Sequence, residues 1–328
     1  MTNKQTIRIG NRLVGPEQAP FIIAEMSGNH DQSLDKALAI VDAAAATGVD
    51  AIKLQTYTAD TMTIDVKSEL FTITDPNSLW HGRQLHELYQ EAHTPWEWHE
   101  PIIARCKEHG VLAFSTPFDA TAVDFLEDLN VPVHKIASFE NTDHPLLRKI
   151  ASTGKPIIMS TGMATQDELD ESVAVLRDGG CNELILLKCT SAYPAPPEAI
   201  NLRALDALRQ RYNVAVGLSD HTLGTGVAVA AVAQGAVVIE KHFTLQRSDG
   251  GVDAAFSMEP QEMTALVNDA RLAQKALGSE QFGRAKQETA SLAFRRSIFI
   301  TEDIAKGTPL SAENTRIIRP GYGLAPKH

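Results

Sequence analysis

The chain has 328 residues, of which 43% are hydrophobic, and it carries a net charge of −11. This composition allows a large buried core and excludes a disordered or fibrous protein. The negative charge argues against binding to nucleic acid or to an anionic membrane surface. A chain of this kind that handles an anionic substrate must concentrate its cations locally.

Cysteine usage and hydropathy predict the compartment. The three cysteines, Cys106, Cys181 and Cys189, form neither a CxxC pair nor an even framework, which is typical of a reducing environment. The N-terminal residues lack the apolar core of a signal peptide, and no apolar run of the length that a membrane helix needs follows them. We therefore expect a cytoplasmic protein that does not span a membrane.

Short apolar, β-branched runs alternate along most of the chain with longer segments of helical periodicity. The predicted strands cover residues 21–25, 51–55, 111–116, 133–138, 156–161, 184–189, 215–220 and 237–242. Strand–helix alternation predicts right-handed βαβ units and a parallel sheet. Eight strands fit a closed (β/α)8 barrel. An open, doubly wound sheet is the alternative, but no GxGxxG motif follows the first strand.

Residues 56–110 form a long insertion between the second and third predicted strands. All three tryptophans of the chain lie here: Trp80, Trp96 and Trp98. The insertion is too long for a simple strand-to-helix connection and too amphipathic for a linker. We expect a helical cap over the barrel mouth, and such a cap could also shape a substrate pocket.

The sequence pattern changes towards the C-terminus. Residues 286–296 are polar and charged, and residues 297–328 form a short β-rich unit with Gly and Pro turns. A segment of this length is too small to build an independent core. We therefore predict a barrel domain over residues 1–285, a linker over 286–296, and a C-terminal unit over 297–328 that is a fragment or docks on something else.

Polar residues stand at the C-terminal ends of nearly all the predicted strands, where the chemistry of (β/α)8 barrels lies. They are Glu25, Lys53, Gln55, Ser115, Thr116, Lys135, Ser138, Ser160, Thr161, Thr190, Ser219, Asp220, His221, Glu240, Lys241 and His242, with Cys189 at the end of the sixth strand. A single residue of this kind can be a helix cap or a solvated strand end. Their presence on so many strands instead indicates a reaction chamber.

Two lysines at these strand ends predict an anion site. Lys53 and Lys135 follow apolar residues on alternate strands, where an unpaired ammonium would be costly to bury. Together with the neighbouring hydroxyls, they would suit a phosphate or carboxylate. A lysine that forms a Schiff base is the competing interpretation, because barrel aldolases use one at this position.

Two histidines predict a metal site. His221 and His242 end neighbouring strands, so their imidazoles could converge on one ion and leave open positions for water and substrate. Mn, Fe, Co and Zn all accept neutral imidazole ligands. The alternative at each position is a hydrogen-bonded core histidine.

Seven stretches of the chain resemble the sialic acid synthase family and stand in the family's order. They are "IIAEMSGNH", "AIKLQTY", "FSTPFD", "HKIAS", "IIMSTGM", "GLSDHT" and "EKHFT". Members of this family condense phosphoenolpyruvate with an N-acetylated amino sugar in its open aldehyde form and release phosphate. The resemblance implies a (β/α)8 TIM barrel followed by a small antifreeze-like (SAF) domain, which covers the partner subunit's site in a homodimer. Residues 297–328 resemble the N-terminal part of that domain, so we expect a truncated SAF unit.

The resemblance also implies a role for individual residues. Phosphoenolpyruvate would be held by Lys53, Gln55, Thr116, Lys135, Ser138, Ser160 and Ser219, and the sugar by Tyr193, Asp253 and the SAF residue Arg319. His221 and His242 would bind Mn²⁺, which polarises the sugar aldehyde as a Lewis acid. Glu25 would stabilise the positive charge at C2 or steer the added water, and we expect it across the barrel mouth from the histidines.

Two stretches, "CTSAYPAP" at 189–196 and the tryptophan-containing insertion, resemble the branch of the family that makes pseudaminic acid. Its sugar is 2,4-diacetamido-2,4,6-trideoxy-L-altrose, which is more apolar than N-acetylmannosamine and would suit a tryptophan-rich lid. An N-acetylneuraminate or legionaminic acid synthase is the alternative within the family. A Schiff-base aldolase and a non-catalytic sugar- or ice-binding protein are the alternatives outside it.

Overall fold

The computed structural model describes residues 6–279 and 282–328. Contacts within the chain divide it into two units, Met1–Leu277 and Gly278–His328. Among the described residues, no helix combines the length and the apolar character needed to cross a membrane.

The first unit opens with an antiparallel hairpin and continues into a closed barrel of parallel strands. The hairpin consists of β1 (Ile7–Ile9) and β2 (Arg12–Val14). The barrel strands are β3 (Phe21–Glu25), β4 (Ala51–Thr56), β5 (Leu112–Pro117), β6 (His134–Ile136), β7 (Ile157–Ser160), β8 (Leu184–Cys189), β9 (Ala215–Ser219) and β10 (Val238–His242). The last strand, β10, pairs with both β9 and β3, which closes the ring. The predicted (β/α)8 barrel is confirmed.

Helices alternate with the barrel strands. They are α1 (Leu34–Ala46), α2 (Ala59–Met62), α3 (Leu85–Ala92), α4 (His99–Glu108), α5 (Ala120–Asp128), α6 (His144–Ala151), α7 (Gln166–Asp178), α8 (Ala204–Tyr212), α9 (Gly226–Ala233) and α10 (Pro260–Ala276). Local chemistry sets several of their starts. Ser33 caps α1, and Thr165 forms a capping box with Glu168 at α7, so that backbone N–H groups without a partner in the first turn are satisfied.

The two-residue period of the strands divides the barrel interior into an apolar lower part and a polar upper part. On β3, Phe21 and Ile23 belong to the apolar cluster that fills the barrel, and Glu25 lines the cavity above them. On β10, Val238 belongs to the same cluster, and Glu240 and His242 line the cavity. The same alternation therefore buries the core and places functional groups at the strand ends.

Gly217 on β9 is a position where the barrel leaves no room for a side chain. A Cβ there would lie 2.4 Å from the carbonyl oxygen of Val238 and 2.6 Å from a methyl carbon of Leu187. Because such contacts are far shorter than van der Waals distances, only glycine allows β8, β9 and β10 to pack together at this level.

A buried ion pair lies on the outward side of the last two strands. Lys241 Nζ donates to Asp220 Oδ2 at 2.8 Å and to the Thr222 carbonyl at 2.6 Å. Both charged side chains are almost completely inaccessible to solvent. The pair therefore fixes the segment after β9, which carries His221, to β10, which carries His242.

We expect Asp220→Ala to destabilise the fold by about 3–5 kcal/mol, because it leaves a buried ammonium without its counter-ion. Lys149→Ala is the matched control: its pair with Asp124 is exposed, and its loss should cost only about 0–1 kcal/mol. Urea unfolding of both variants measures the difference. Equal, small losses would show that the buried pair is not important for stability.

The insertion after β4 forms one wall of the cavity at the barrel mouth. It contains α2, α3 and short 3-10 turns at Glu69–Phe71 and Trp96–Trp98. Met62, Ile73 and Trp80 are among its residues that line the cavity. The predicted cap is confirmed, and we call residues 57–98 the lid.

The prediction that the tryptophans of the lid together line the pocket is wrong for two of the three. Only Trp80 of the three tryptophans lines the cavity. Trp96 stacks on Phe125 with ring centroids 4.6 Å apart, and Trp98 packs edge-on against His30. These two rings therefore anchor the lid to the barrel and do not face the cavity.

The second unit contains a two-stranded antiparallel sheet, β11 (Ser297–Ile300) and β12 (Thr315–Ile318). Leu324 adds an isolated bridge to Ile298. Arg296, Arg316 and Arg319 line a surface cavity of this unit. The small antiparallel sheet fits a partial SAF domain.

Candidate active site

A cavity of about 650 Å³ opens at the C-terminal ends of the barrel strands. It is in the size range of small-molecule sites. Most of the sequence-predicted residues line it: Glu25, Lys53, Gln55, Lys135, Ser138, Ser160, Tyr193, Ser219, His221, His242 and Asp253. Thr116 lies just behind, where it accepts a hydrogen bond from Lys53 Nζ at 3.2 Å. Arg319 belongs to the second unit, and its predicted contact with the sugar stays a prediction.

Two buried lysines and two buried carboxylates form the floor of the cavity. Lys53 Nζ lies 2.5 Å from Glu25 Oε2 and 3.9 Å from Glu240 Oε2. Lys135 Nζ donates to Ser160 Oγ at 2.7 Å and lies 3.9 Å from Glu240 Oε1. The ammonium groups are thus neutralised by the protein's own carboxylates, and all four side chains are nearly inaccessible to solvent.

The pKa shifts of this cluster follow from burial and pairing. Burial raises the pKa of Glu25 to about 7, against the attraction of Lys53. Burial acts to lower the pKa of Lys53, but Glu240 and Glu25 outweigh it, and the net shift is upward. For Lys135, burial dominates over the attraction of Glu240, so its pKa is lowered. Lys53 is therefore cationic near neutral pH, and the Glu25 and Glu240 carboxyl groups are its nearest partners of opposite charge.

Glu240 is a site residue that the strand-end pattern included but to which the sequence assigned no role. Its Oε1 accepts from Ser219 Oγ at 3.0 Å, whereas its buried Oε2 has no hydrogen-bond partner among the described residues. Its position between both lysines depends on three different strands, and no local sequence signal reports it.

The position of Glu25 corrects one expectation. Glu25 pairs in register with His242, because the first and last barrel strands are neighbours. It therefore lies beside this histidine and not across the mouth from the pair. Gln55, predicted to hold phosphoenolpyruvate, donates to Glu25 Oε1 at 3.0 Å and so orients this carboxyl group.

The two histidines converge as predicted. The ring centroids of His221 and His242 are 5.4 Å apart. His221 Nδ1 lies 3.0 Å from the carbonyl oxygen of Thr190, so Nδ1 carries a proton. Burial acts to lower the pKa of His221, but hydrogen bonds to Cys189 and to the Thr190 carbonyl outweigh it, and the net shift is upward. Burial and nearby His221 hold the pKa of His242 well below its usual range, so His242 is neutral.

This histidine pair fits a divalent metal ion. Each ring has one nitrogen next to a polar group of the protein, Thr190 O or Ser27 Oγ, which is the arrangement that orients metal-bound histidines. Within residues 6–279 and 282–328, no group of three or more His, Cys, Asp or Glu side chains is arranged to hold a metal. The pair would therefore leave several positions of an ion open to water and substrate.

Aromatic and apolar side chains line the cavity next to the histidines. The Tyr193 ring lies 4.4 Å from His221, 5.1 Å from Phe256 and 5.8 Å from Trp80, centroid to centroid. Trp80 Nε1 donates to the carbonyl of Val252 at 3.0 Å, which joins the lid to the segment after β10. Leu85, Leu88 and Tyr89 of α3 continue this wall.

Glu140 is a cavity residue that the sequence analysis did not identify. It lies in the turn Ser138–Glu140 after β6, and its buried Oε2 has no hydrogen-bond partner in the described part of the chain. Burial raises its pKa to about 7, against the attraction of Lys135. The only sequence signal was its position two residues after Ser138.

The chain matches known proteins along most of its length. Residues 40–282 match the model of the NeuB family. A pseudaminic acid synthase of Campylobacter jejuni is 43% identical over 98% of this chain and 92% of its own. An N,N'-diacetyllegionaminic acid synthase of the same species is 37% identical over 93% of this chain and 92% of its own.

A solved structure shares the fold. The N-acetylneuraminic acid synthetase of Leptospira borgpetersenii, determined in complex with citrate, aligns with a TM-score of 0.78 at 31% identity, covering 88% of this chain and 95% of that one. Together with the family match and the barrel-mouth site, this shows that the chain belongs to the NeuB family, the sialic acid synthase family that its motifs predicted.

Proposed function

We propose that this protein condenses phosphoenolpyruvate with 2,4-diacetamido-2,4,6-trideoxy-L-altrose and releases pseudaminic acid and phosphate. The higher identity to the pseudaminic acid synthase than to the legionaminic acid synthase of the same bacterium supports this choice of sugar. It ranks the legionaminic acid alternative behind the pseudaminic one, and the 31% identity to the N-acetylneuraminic acid synthetase ranks that alternative lower still.

One observation carries the proposal: two chemically different sets of side chains line one cavity. Lys53 and Lys135 provide buried cations, and His221 and His242 provide imidazole nitrogens that can bind a metal. A reaction between a phosphorylated enol and an aldehyde needs an anion site beside an electrophile site. This cavity offers both within one chamber.

Phosphoenolpyruvate would be bound on the lysine side. Its phosphate and carboxylate would replace Glu25 and Glu240 as counter-ions of the lysines. The hydroxyl groups of Thr116, Ser138, Ser160 and Ser219 would donate to its oxygens. Because protein carboxylates already compensate the lysines, the ligand gains less from charge alone than the two ammoniums suggest.

The sugar aldehyde would lie between this ligand and the histidines. A divalent metal held by His221 and His242, which we propose to be Mn²⁺, would supply Lewis-acid polarisation of the aldehyde oxygen. C3 of phosphoenolpyruvate attacks the aldehyde carbon, a C–C bond forms, and positive charge develops at C2. The Glu25 carboxylate stabilises this charge or steers the water that adds to C2. The added water gives up a proton, the oxygen of the former aldehyde takes one up to become a hydroxyl, and the tetrahedral intermediate loses phosphate to leave the keto acid.

The lid would select the sugar. Its Met62, Ile73 and Leu85 side chains offer apolar contact to a 6-deoxy carbon. Tyr193 and Asp253 line the same cavity at positions suited to the ring substituents. A 6-hydroxyl would lose water against this wall without gaining a partner.

One feature argues against a Schiff-base aldolase at Lys53. Its lysine must be a free amine, but Glu240 and Glu25 raise the pKa of Lys53 despite its burial. Lys135, whose pKa burial lowers, is the remaining candidate for such a lysine, and its Nζ donates to the Ile136 carbonyl and to Ser160 Oγ. A purely binding protein would need neither this charged floor nor the histidine pair.

We extend the proposal to partners and compartment. A homodimer, in which Arg319 of one subunit reaches the sugar site of the other, would complete the cavity mouth. The protein would act in the cytoplasm, where phosphoenolpyruvate is available.

One assay tests the reaction. Purified protein is incubated with phosphoenolpyruvate, the diacetamido altrose and Mn²⁺, and we expect phosphate and a nonulosonic acid of the expected mass. Phosphate release at the same rate without sugar would contradict it.

A further inference from the structure

The loop that follows the first barrel strand has an unusual backbone. We call residues 26–32 the first-strand loop. Ser27, Asp31 and Gln32 have φ angles of 44°, 49° and 53°, although none of them is glycine. Such residues are strained in this region, and they persist only where neighbouring groups hold them. The contacts that hold this loop therefore indicate which part of the structure depends on its conformation.

Asn29 joins the first-strand loop to the end of the last strand. Its side chain is completely buried, and Nδ2 donates to the Phe243 carbonyl and to Ser257 Oγ, both at 2.9 Å. Phe243 follows His242 directly, and its N–H donates to the Glu25 carbonyl at 2.8 Å. Asn29 thus fixes the main chain immediately after His242.

Ser27 contacts the His242 ring itself. Its Oγ lies 3.3 Å from His242 Nδ1, and Asp253 Oδ2 lies 3.7 Å from the same nitrogen. In the tautomer that binds a metal through Nε2, the Nδ1–H donates to Ser27 Oγ. The nearby Asp253 carboxylate favours the same tautomer, because a negative charge stabilises the Nδ1–H that points towards it.

The first-strand loop packs closely against the segment after β10. A Cβ at Gly251 would lie 2.9 Å from Asp31 Oδ1 and 3.2 Å from Asn29 Oδ1. On the solvent side, Lys36 pairs with Asp31 and, at 3.2 Å, with Asp249. The first-strand loop is therefore held against the segment after β10 from the interior outward.

We propose that Asn29 and Ser27 are positioning residues that fix the orientation of His242 for a divalent metal. The inference rests on the metal site of the proposed function and adds two residues that are not among those lining the cavity. Asn29 fixes the main chain next to His242, and Ser27 fixes the ring nitrogen and its tautomer. Losing such outer contacts typically weakens metal binding by about 10- to 100-fold.

The loss of metal affinity is measured by titrating the protein with Mn²⁺ alone and monitoring the electron paramagnetic resonance signal of the free ion. We expect Asn29→Ala to raise the Mn²⁺ Kd by about 10- to 100-fold and Ser27→Ala to change it in the same direction. Calorimetric titration with phosphoenolpyruvate alone should give the wild-type Kd for both. Activity should recover as Mn²⁺ is raised, which general damage to the fold would not allow.

Asn141→Ala is the matched control. Asn141 is also buried, and its Nδ2 also holds two carbonyls, those of Ser160 at 3.3 Å and Gly162 at 3.0 Å, but on the lysine side of the cavity. It should weaken phosphoenolpyruvate binding and leave the Mn²⁺ Kd unchanged.

Wild-type Mn²⁺ affinity in both loop variants would overturn the inference and leave the proposed reaction standing. The inference would also be overturned if Asn29→Ala bound neither Mn²⁺ nor phosphoenolpyruvate while Ser27→Ala bound Mn²⁺ normally. Ser27→Ala removes only one hydroxyl group, so we expect this variant to fold. It therefore still tests the inference if Asn29→Ala does not fold. A wild-type protein that binds no Mn²⁺ would overturn the metal site of the proposed function and this inference with it.

Discussion

Replacement of either His221 or His242 by alanine is expected to abolish turnover while the barrel stays folded. Each substitution removes one of the two imidazoles that would bind the metal. Lewis-acid activation contributes several kcal/mol to such reactions, so we expect a loss of about 1,000-fold or more in kcat. Steady-state phosphate release, with circular dichroism as the check on folding, measures the effect.

Two controls make this prediction specific. His109→Ala, on the outer helix layer and paired with Asp42, should keep wild-type activity. Wild-type enzyme treated with a chelator should lose activity and regain it with Mn²⁺. Substantial turnover by the metal-stripped enzyme would show that the histidine pair has no metal role.

Glu25→Gln is expected to lower kcat by about 100- to 1,000-fold without weakening phosphoenolpyruvate binding. Glu25 Oε2 lies 2.5 Å from Lys53 Nζ, so the substitution removes an internal anion that competes with the ligand for this cation. The Kd for phosphoenolpyruvate should therefore stay the same or fall. The lost carboxylate would otherwise stabilise the positive charge at C2, which exists only in the transition state.

Lys53→Ala should have the reverse effect on binding. It removes a buried cation that the anionic ligand needs, so the Kd for phosphoenolpyruvate should rise. Calorimetric titration of both variants separates the two roles. If Glu25→Gln lost phosphoenolpyruvate binding as severely as Lys53→Ala, Glu25 would be a ligand-binding residue and not a residue of the reaction path.

The sequence predicted the barrel and most of the residues of the site for a simple physical reason. Apolar runs that end in Lys53, Lys135, His221 or His242 place polar groups where parallel strands stop, and all such ends meet at one face of a barrel. Periodicity therefore predicted both the fold and the face that carries the chemistry.

What the sequence could not predict depends on contacts between distant residues. Glu25 and His242 are neighbours only because β10 closes the ring onto β3. Glu240 takes its position from lysines on two other strands. The amphipathic pattern of the lid did not show which face of it is inward, so Trp96 and Trp98 were expected in a pocket wall that only Trp80 joins.

The central claim is that a barrel with a charged floor and an apolar lid makes pseudaminic acid, and the ratio of kcat/KM for two sugars tests it most directly. Phosphate release with 2,4-diacetamido-2,4,6-trideoxy-L-altrose should exceed that with N-acetylmannosamine by about 100-fold in kcat/KM, because the 6-hydroxyl of the second sugar loses water against Met62, Ile73 and Leu85. Equal kcat/KM for the two sugars, or a preference for N-acetylmannosamine, would contradict the account.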